Sequence, residues 1–138
     1  MSARDIYHDT VKVALIKDGW MVTDDPFSLK AGKRDLQVDL GAEKLLIAER
    51  LNKKIAVEVK SFISPSPIRD FELALGQYLL YASILKQQYP RRILYLAVRD
   101  EIFFTFFQEE VVKIALQAQP INILVFDALQ QEVVQWIP

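Results

Sequence analysis

The sequence predicts an α/β domain built on a central mixed sheet flanked by helices. Two helical stretches, about residues 67–88 and 101–117, each precede an almost wholly apolar run, Arg92–Val98 and Ile121–Phe126. Such runs suit strands buried on both faces, and helical crossovers between them imply parallel pairing. Ahead of them, short alternating stretches read as hairpin-like strands. The resulting order is helix, strands, helix, strand, helix, strand, which is that of a layered α/β domain.

From Asp5 to Asp18, the residues Ile6, Val11, Val13, Ala14, Leu15 and Ile16 fit one helical face, and Gly19 supplies the left-handed stop. Trp20–Thr23 reads as a short strand and residues 27–35 as loop. Leu36–Leu40 is short and β-like, and Gly41–Glu43 reads as a bend. Leu45–Arg50 and Lys54–Phe62 are two strands joined by a turn at Leu51–Lys53. In the second, Ala56, Glu58 and Lys60 share one face, while Ile55, Val57 and Val59 share the other, the core face. Ser66 followed by Pro67 forms an N-cap and first-turn pair for the helix 67–88, with Asp70 at its dipole-favoured end. Its interior Gly76 costs roughly 1 kcal/mol against Ala, so close packing is the expected reason for it. Residues 130–136 form a short tail with no clear pattern.

At 138 residues the chain suits a single domain, 1–138. With 51% apolar and 25% charged residues it has an ordinary globular balance, and it is long enough to fold without a metal or a disulfide. The absence of cysteine removes disulfides, cysteine–zinc sites and thiol nucleophiles together. No targeting segment precedes the first helix and no apolar run approaches a membrane span, so a cytoplasmic protein is expected. A net charge of −1 argues against a general nucleic-acid coat. It leaves room for an enzyme that meets DNA locally through a metal, because metal-binding carboxylates themselves lower the net charge.

Cleaving a phosphodiester with a metal requires oxygen ligands for Mg²⁺ (or Mn²⁺) and a group that orients the attacking water. Asp39 and Glu58 supply ligands, the Val59 carbonyl is a further one, and Lys60 lies on the Glu58 face to stabilise charge or assist the water. A carboxylate followed by Glu-x-Lys on an apolar strand is the PD-(D/E)xK pattern. Alternating charges on the wet face of a half-exposed strand are common, so the tripeptide alone says little. The order of helices and strands around it gives it weight. Gln77 on the following helix faces the site, with Tyr78, about 100° away, facing the core.

Several strings together carry a closer likeness: His8–Lys12, Lys17–Trp20, Val38–Lys44, Ile55–Phe62, Ala74–Tyr78 and Leu94–Val98. Over most of its length the chain resembles the XisH family, small cyanobacterial proteins named as controlling factors for excision of the fdxN DNA element. The resemblance implies a restriction-endonuclease-like core of the PD-(D/E)xK superfamily, DNA as target, and a role in programmed DNA recombination. It further implies a XisI-like partner protein and a site-specific recombinase. Glu58 and Lys60 take the Glu-x-Lys places. Asp39 takes the first acidic place, with Glu43 as the alternative, and Val38 stands where the motif has Pro. Asp9, beside His8, is nearest to the acid that related nucleases carry on the first helix.

Each residue also has a plainer reading. His8 near a helix start is a surface or capping residue, Asp9 serves the helix dipole, Asp39 is a turn residue, and Glu43 with Lys44 forms a solvated bend. Lys53–Lys54 and Arg91–Arg92 are phosphate contacts or solvated turn ends. The dense Phe103, Phe104, Phe106 and Phe107 cannot all hide on one narrow helical face, so this is either a fully buried helix or one whose surplus rings form an apolar patch for a partner or a homodimer. Two functions follow: a metal-dependent endonuclease, or a non-catalytic regulator binding DNA or a partner on the same scaffold. A toxin–antitoxin-like module is a third.

Overall fold

The computed structural model describes residues 5–46 and 51–138. The N-terminal residues 1–4 and residues 47–50, the end of the expected strand Leu45–Arg50, lie outside them. Helix α1 (His8–Lys17) ends where Gly19 adopts φ +89°, and the Trp20 N–H donates back to the Leu15 carbonyl at 3.0 Å. The strands β1 (Met21–Asp24), β2 (Phe27–Ala31), β3 (Arg34–Val38), β4 (Leu40–Leu46) and β5 (Leu51–Val59) follow. Then come α2 (Pro67–Gln88), β6 (Arg92–Arg99), a single turn α3 (Asp100–Phe103), α4 (Glu110–Ala118), β7 (Ile123–Asp127) and β8 (Glu132–Ile137).

Six strands form one sheet in the order β1-β4-β5-β6-β7-β8, while β2 and β3 form a separate hairpin. β4 runs antiparallel to both β1 and β5, β5-β6-β7 are parallel, and β8 is antiparallel to β7. The mixed α/β architecture is the expected one, with a central sheet flanked by helices. No helix among the described residues is long and apolar enough to cross a membrane.

Apolar side chains cover both sheet faces. Val11 and Leu15 of α1 pack with Ile55, Val57, Val59, Tyr95, Leu124 and Phe126 on one side. On the other, Phe71, Tyr78 and Leu85 of α2 and Phe27, Leu29 and Val38 of the hairpin pack over Ala56, Leu94, Leu96 and Val125. Fully burying one such aliphatic side chain contributes about 1.5–3 kcal/mol, so both helical layers are held by the sheet rather than by their own propensity. Tyr78 faces the core as expected, and its hydroxyl donates to the Leu94 carbonyl at 3.0 Å and accepts the Asn122 N–H at 3.0 Å.

Several local expectations are corrected. Residues 27–35 are a hairpin turned at Gly32 (φ +61°), where polar and basic residues on its exposed face masked the buried Phe27 and Leu29. Gly41–Glu43 is strand, paired with Lys54–Ala56, and a Cβ at Gly41 would stand 2.9 Å from Phe27 Cδ2. Leu51–Lys53 belong to β5 instead of a turn, and β5 stops at Val59. Gly76 is exposed with nothing within 4 Å of an added Cβ, so close packing is not its reason. The expected helix 101–117 is broken: Thr105 leaves helical geometry, a 3-10 turn follows at Phe106–Gln108, and α4 begins at Glu110. The break swings Phe106 and Phe107 inward against Phe62 and Phe71, leaving Phe104 as the exposed ring, 57% accessible. The tail forms β8.

Candidate functional site

The site grows from the antiparallel pairing of β4 with β5. Leu40 stands opposite Val57, so Asp39, one residue before β4, reaches the level of Glu58. The Val59 N–H donates to Asp39 Oδ2 at 2.7 Å, and the Asp39 N–H donates to Glu58 Oε1 at 3.3 Å. Each carboxylate is thus held by the other's strand. Lys60 Nζ lies 4.0 Å from Glu58 Oε2, and the Lys60 N–H donates to the Ala97 carbonyl of β6. Beyond Lys60 the chain bends sharply. Phe62 takes φ +54°, rare for a side chain of that size, while Ser61 is tied by its N–H to Asp5 Oδ2 and by its carbonyl to the Arg99 guanidinium.

A cleft of about 220 Å³ opens over this group, lined by Asp5, Gln37, Asp39, Glu58, Val59, Lys60, Gln77 and Tyr81. A larger groove of about 560 Å³ near the C-terminal end of α2 contains no carboxylate, which leaves the smaller one as the candidate site. The expectation of a wet face at Glu58 fails, because α2 and the hairpin cover it and leave the residue 5% exposed. Burial, then the neighbouring Asp39 charge and its hydrogen bond, push the Glu58 carboxyl up to about 9, against the partial relief of Lys60. Burial and the two carboxylates also raise the Tyr81 phenol.

The structure brings together Asp39, Glu58, Val59, Lys60 and Gln77. Gln77 Oε1 is buried without a hydrogen-bond partner. Tyr78 turns away, so of the two adjacent residues Gln77 faces the cleft. Glu43 lies elsewhere, opposite Lys54 on β5, with Lys54 Nζ at 3.8 Å and Arg92 Nη2 at 3.6 Å. Arg92 is no phosphate contact, since its Nη1 donates to the Ile55 carbonyl and its guanidinium lies over the Phe27 ring. Asp9 is exposed on the first turn of α1 and does not line the cleft. His8 is not a surface cap: it is 3% exposed, with Nδ1 3.7 Å from Asp39 Oδ1.

Sequence reasoning missed Tyr81, Gln37 and Asp5. Tyr81 follows Gln77 by one helical turn and Gln37 precedes Asp39 by one strand repeat, so periodicity carried a signal for both. Asp5 joins through Ser61, 56 residues away, and nothing local announces that.

Among the described residues no group of three or more His, Asp or Glu side chains forms a ready metal cage. The donor set nevertheless fits a hard cation. Mg²⁺ commonly uses one or two carboxylates and keeps several waters, and here two carboxylates face a cleft that also holds an unpartnered amide oxygen.

The chain matches the family described as XisH protein over residues 1–134. An XisH family protein from Nostoc punctiforme PCC 73102 is 40% identical, with TM-score 0.88 over 97% of this chain and 100% of that one. A fdxN element excision controlling factor protein from Anabaena variabilis is 42% identical, with TM-score 0.88 over 98% of this chain and 100% of that one. No curated protein matches significantly.

Proposed function

The chain belongs to the XisH family, and from that membership and the Asp39–Glu58–Lys60 cleft we propose that it controls DNA-element excision through a nuclease-like, Mg²⁺-dependent site. The carrying observation is the reciprocal bracing of Asp39 and Glu58 beside Lys60, inside a cleft closed by Gln77 and Tyr81. This is the arrangement expected of a restriction-endonuclease-like core. Its cost argues for use, since burying Glu58 beside the half-buried carboxylate of Asp39 is unfavourable and groups of this kind cluster at functional sites.

In this reading Asp39, Glu58 and the Val59 carbonyl would hold the cation. When bound, the cation supplies positive charge for a phosphate oxygen and for an activated water. Lys60 orients the attacking water and offsets charge developing on the phosphate. Gln77 would donate its amide N–H to a phosphate oxygen, and its unpartnered Oε1 would accept from a water in the cleft. Water adds to phosphorus and the leaving strand departs as an alcohol, which takes up the proton released. The DNA target, a XisI-like partner, a recombinase and a cytoplasmic setting belong to the same reading.

The proton held on Glu58 favours a second reading, in which the cleft is silent and the protein regulates excision by binding DNA or a partner. Incubating the protein with plasmid and branched DNA in Mg²⁺ or Mn²⁺, with and without its partner, separates the two. Cleavage lost in Glu58→Ala and Lys60→Ala supports the enzyme. DNA binding without cleavage, unchanged by both substitutions, supports the regulator.

A further inference from the structure

The strand partner holds one oxygen of Asp39, and the other faces a histidine. His8 is the chain's one histidine, buried on the first turn of α1. Its Nε2 lies 2.7 Å from Asp25 Oδ1, and Lys12 Nζ donates to Asp25 Oδ2 at 2.9 Å. Burial raises the Asp25 carboxyl, but the hydrogen bonds of Lys12 and His8 outweigh it and hold the group below its ordinary range. Asp25 is therefore the acceptor and His8 Nε2 the donor, an assignment made from the network.

That leaves Nδ1. It is buried, makes no hydrogen bond, and points to Asp39 Oδ1 at 3.7 Å. Leaving a polar atom uncovered in a protein interior is unfavourable, so a ring present only to fill space is better made of carbon. The contact is too long for a hydrogen bond, yet at this distance a buried ring nitrogen acts on the carboxylate oxygen with little screening by water.

We propose that His8 is a positioning residue for Asp39: backed by Asp25 and Lys12, its Nδ1 edge confines Asp39 Oδ1 while the Val59 amide holds Oδ2. The carboxylate plane is then fixed from both sides before any ligand arrives. This couples α1 and the β1–β2 connection to a site otherwise built from β4, β5 and α2. It also explains why the His8–Asp25 contact, between residues 17 positions apart, is built in the interior. Its consequence for metal affinity rests on the reading of the cleft given above, whereas the positioning itself does not.

The Val59 amide proton reports on Asp39 directly, because it donates to Oδ2. In metal-free protein, its NMR shift and exchange rate would be compared across wild type, His8→Phe, His8→Asn and Asp25→Asn. His8→Phe keeps the volume without a polar atom, His8→Asn keeps a polar atom near Nδ1, and Asp25→Asn leaves the ring in place if His8→Phe fails to fold. The expected result is an upfield shift and faster exchange in His8→Phe and Asp25→Asn, with recovery in His8→Asn. A Val59 amide unchanged in His8→Phe or Asp25→Asn overturns the proposal. Mn²⁺ titration gives the second reading, with affinity expected to fall about 10–100-fold where the restraint is lost, as for other outer-shell partners. If wild type takes up no Mn²⁺ while the Val59 amide responds, the positioning stands and the metal reading falls.

Discussion

Replacing Glu58 with Gln removes a titrating group from the sheet interior while nearly keeping its shape. Burial and the adjacent Asp39 push this carboxyl from an ordinary 4.5 to about 9 in the folded protein. Below the lower value both folded and unfolded chains are protonated, and the group has no effect on stability. Between the two values the unfolded chain releases the proton and the folded chain keeps it, so stability falls as pH rises. Each unit is worth about 1.4 kcal/mol, which makes the loss roughly 3 kcal/mol by neutral pH and about 6 kcal/mol above the folded value. Against a typical stability of about 5–15 kcal/mol that is a large fraction. Urea unfolding of wild type and Glu58→Gln, with chelator and at constant ionic strength, would be followed at about pH 5.5, 7 and 8.5. The stability of the variant relative to wild type should grow by about 1.4 kcal/mol per pH unit. A difference that stays constant across that range would refute the reasoning, because it would mean that Glu58 is ionised in the folded chain.

The same proton couples to metal. A ligating carboxylate must lose it, so calorimetric Mn²⁺ affinity should rise about tenfold per pH unit below the Glu58 value, with about one proton released; an affinity indifferent to pH would exclude Glu58 as a ligand. Gly41→Ala places a methyl 2.9 Å from Phe27 Cδ2 and 3.0 Å from Asp24 Oδ2, and should lower stability by about 1–3 kcal/mol in urea unfolding. Gly76→Ala meets empty space on a helix and should raise it by about 0.5–1 kcal/mol, which a thermal melt would detect. Tyr78→Phe strips the hydroxyl that joins the Leu94 carbonyl to the Asn122 N–H, at a cost of about 1–3 kcal/mol visible in chemical denaturation.

What the sequence reveals divides by the range of the physics involved. Alternation along β5 and into the residue just past its end puts Lys60 beside Glu58, a local consequence of strand geometry, and the Ser66–Pro67 start of α2 is equally local. Patterns mislead where a distant layer changes what a face meets. Glu58 looks solvated in an alternating strand, yet α2 and the β2–β3 hairpin cover it, and no property of residues 54–62 encodes that cover. The hairpin was hidden for the same reason: Lys30, Gly32, Lys33 and Arg34 resemble loop chemistry until Phe27 and Leu29 have a core to enter.

Asp39 and Glu43 show how such an ambiguity resolves. Both precede the Glu-x-Lys strand, and composition cannot separate them. Register does, because an antiparallel ladder with Leu40 opposite Val57 commits Asp39 to Glu58 and Glu43 to Lys54 at once. A shift of one residue would move every β4 side chain to the opposite sheet face, taking Leu40 and Ala42 out of the α1 layer. The packing of Leu40 and Ala42 against α1 therefore selects the carboxylate that meets Glu58, although neither residue carries any chemistry. His8 lies in the same layer, on the α1 turn that the packing holds in place, and its alignment with Asp39 has the same origin.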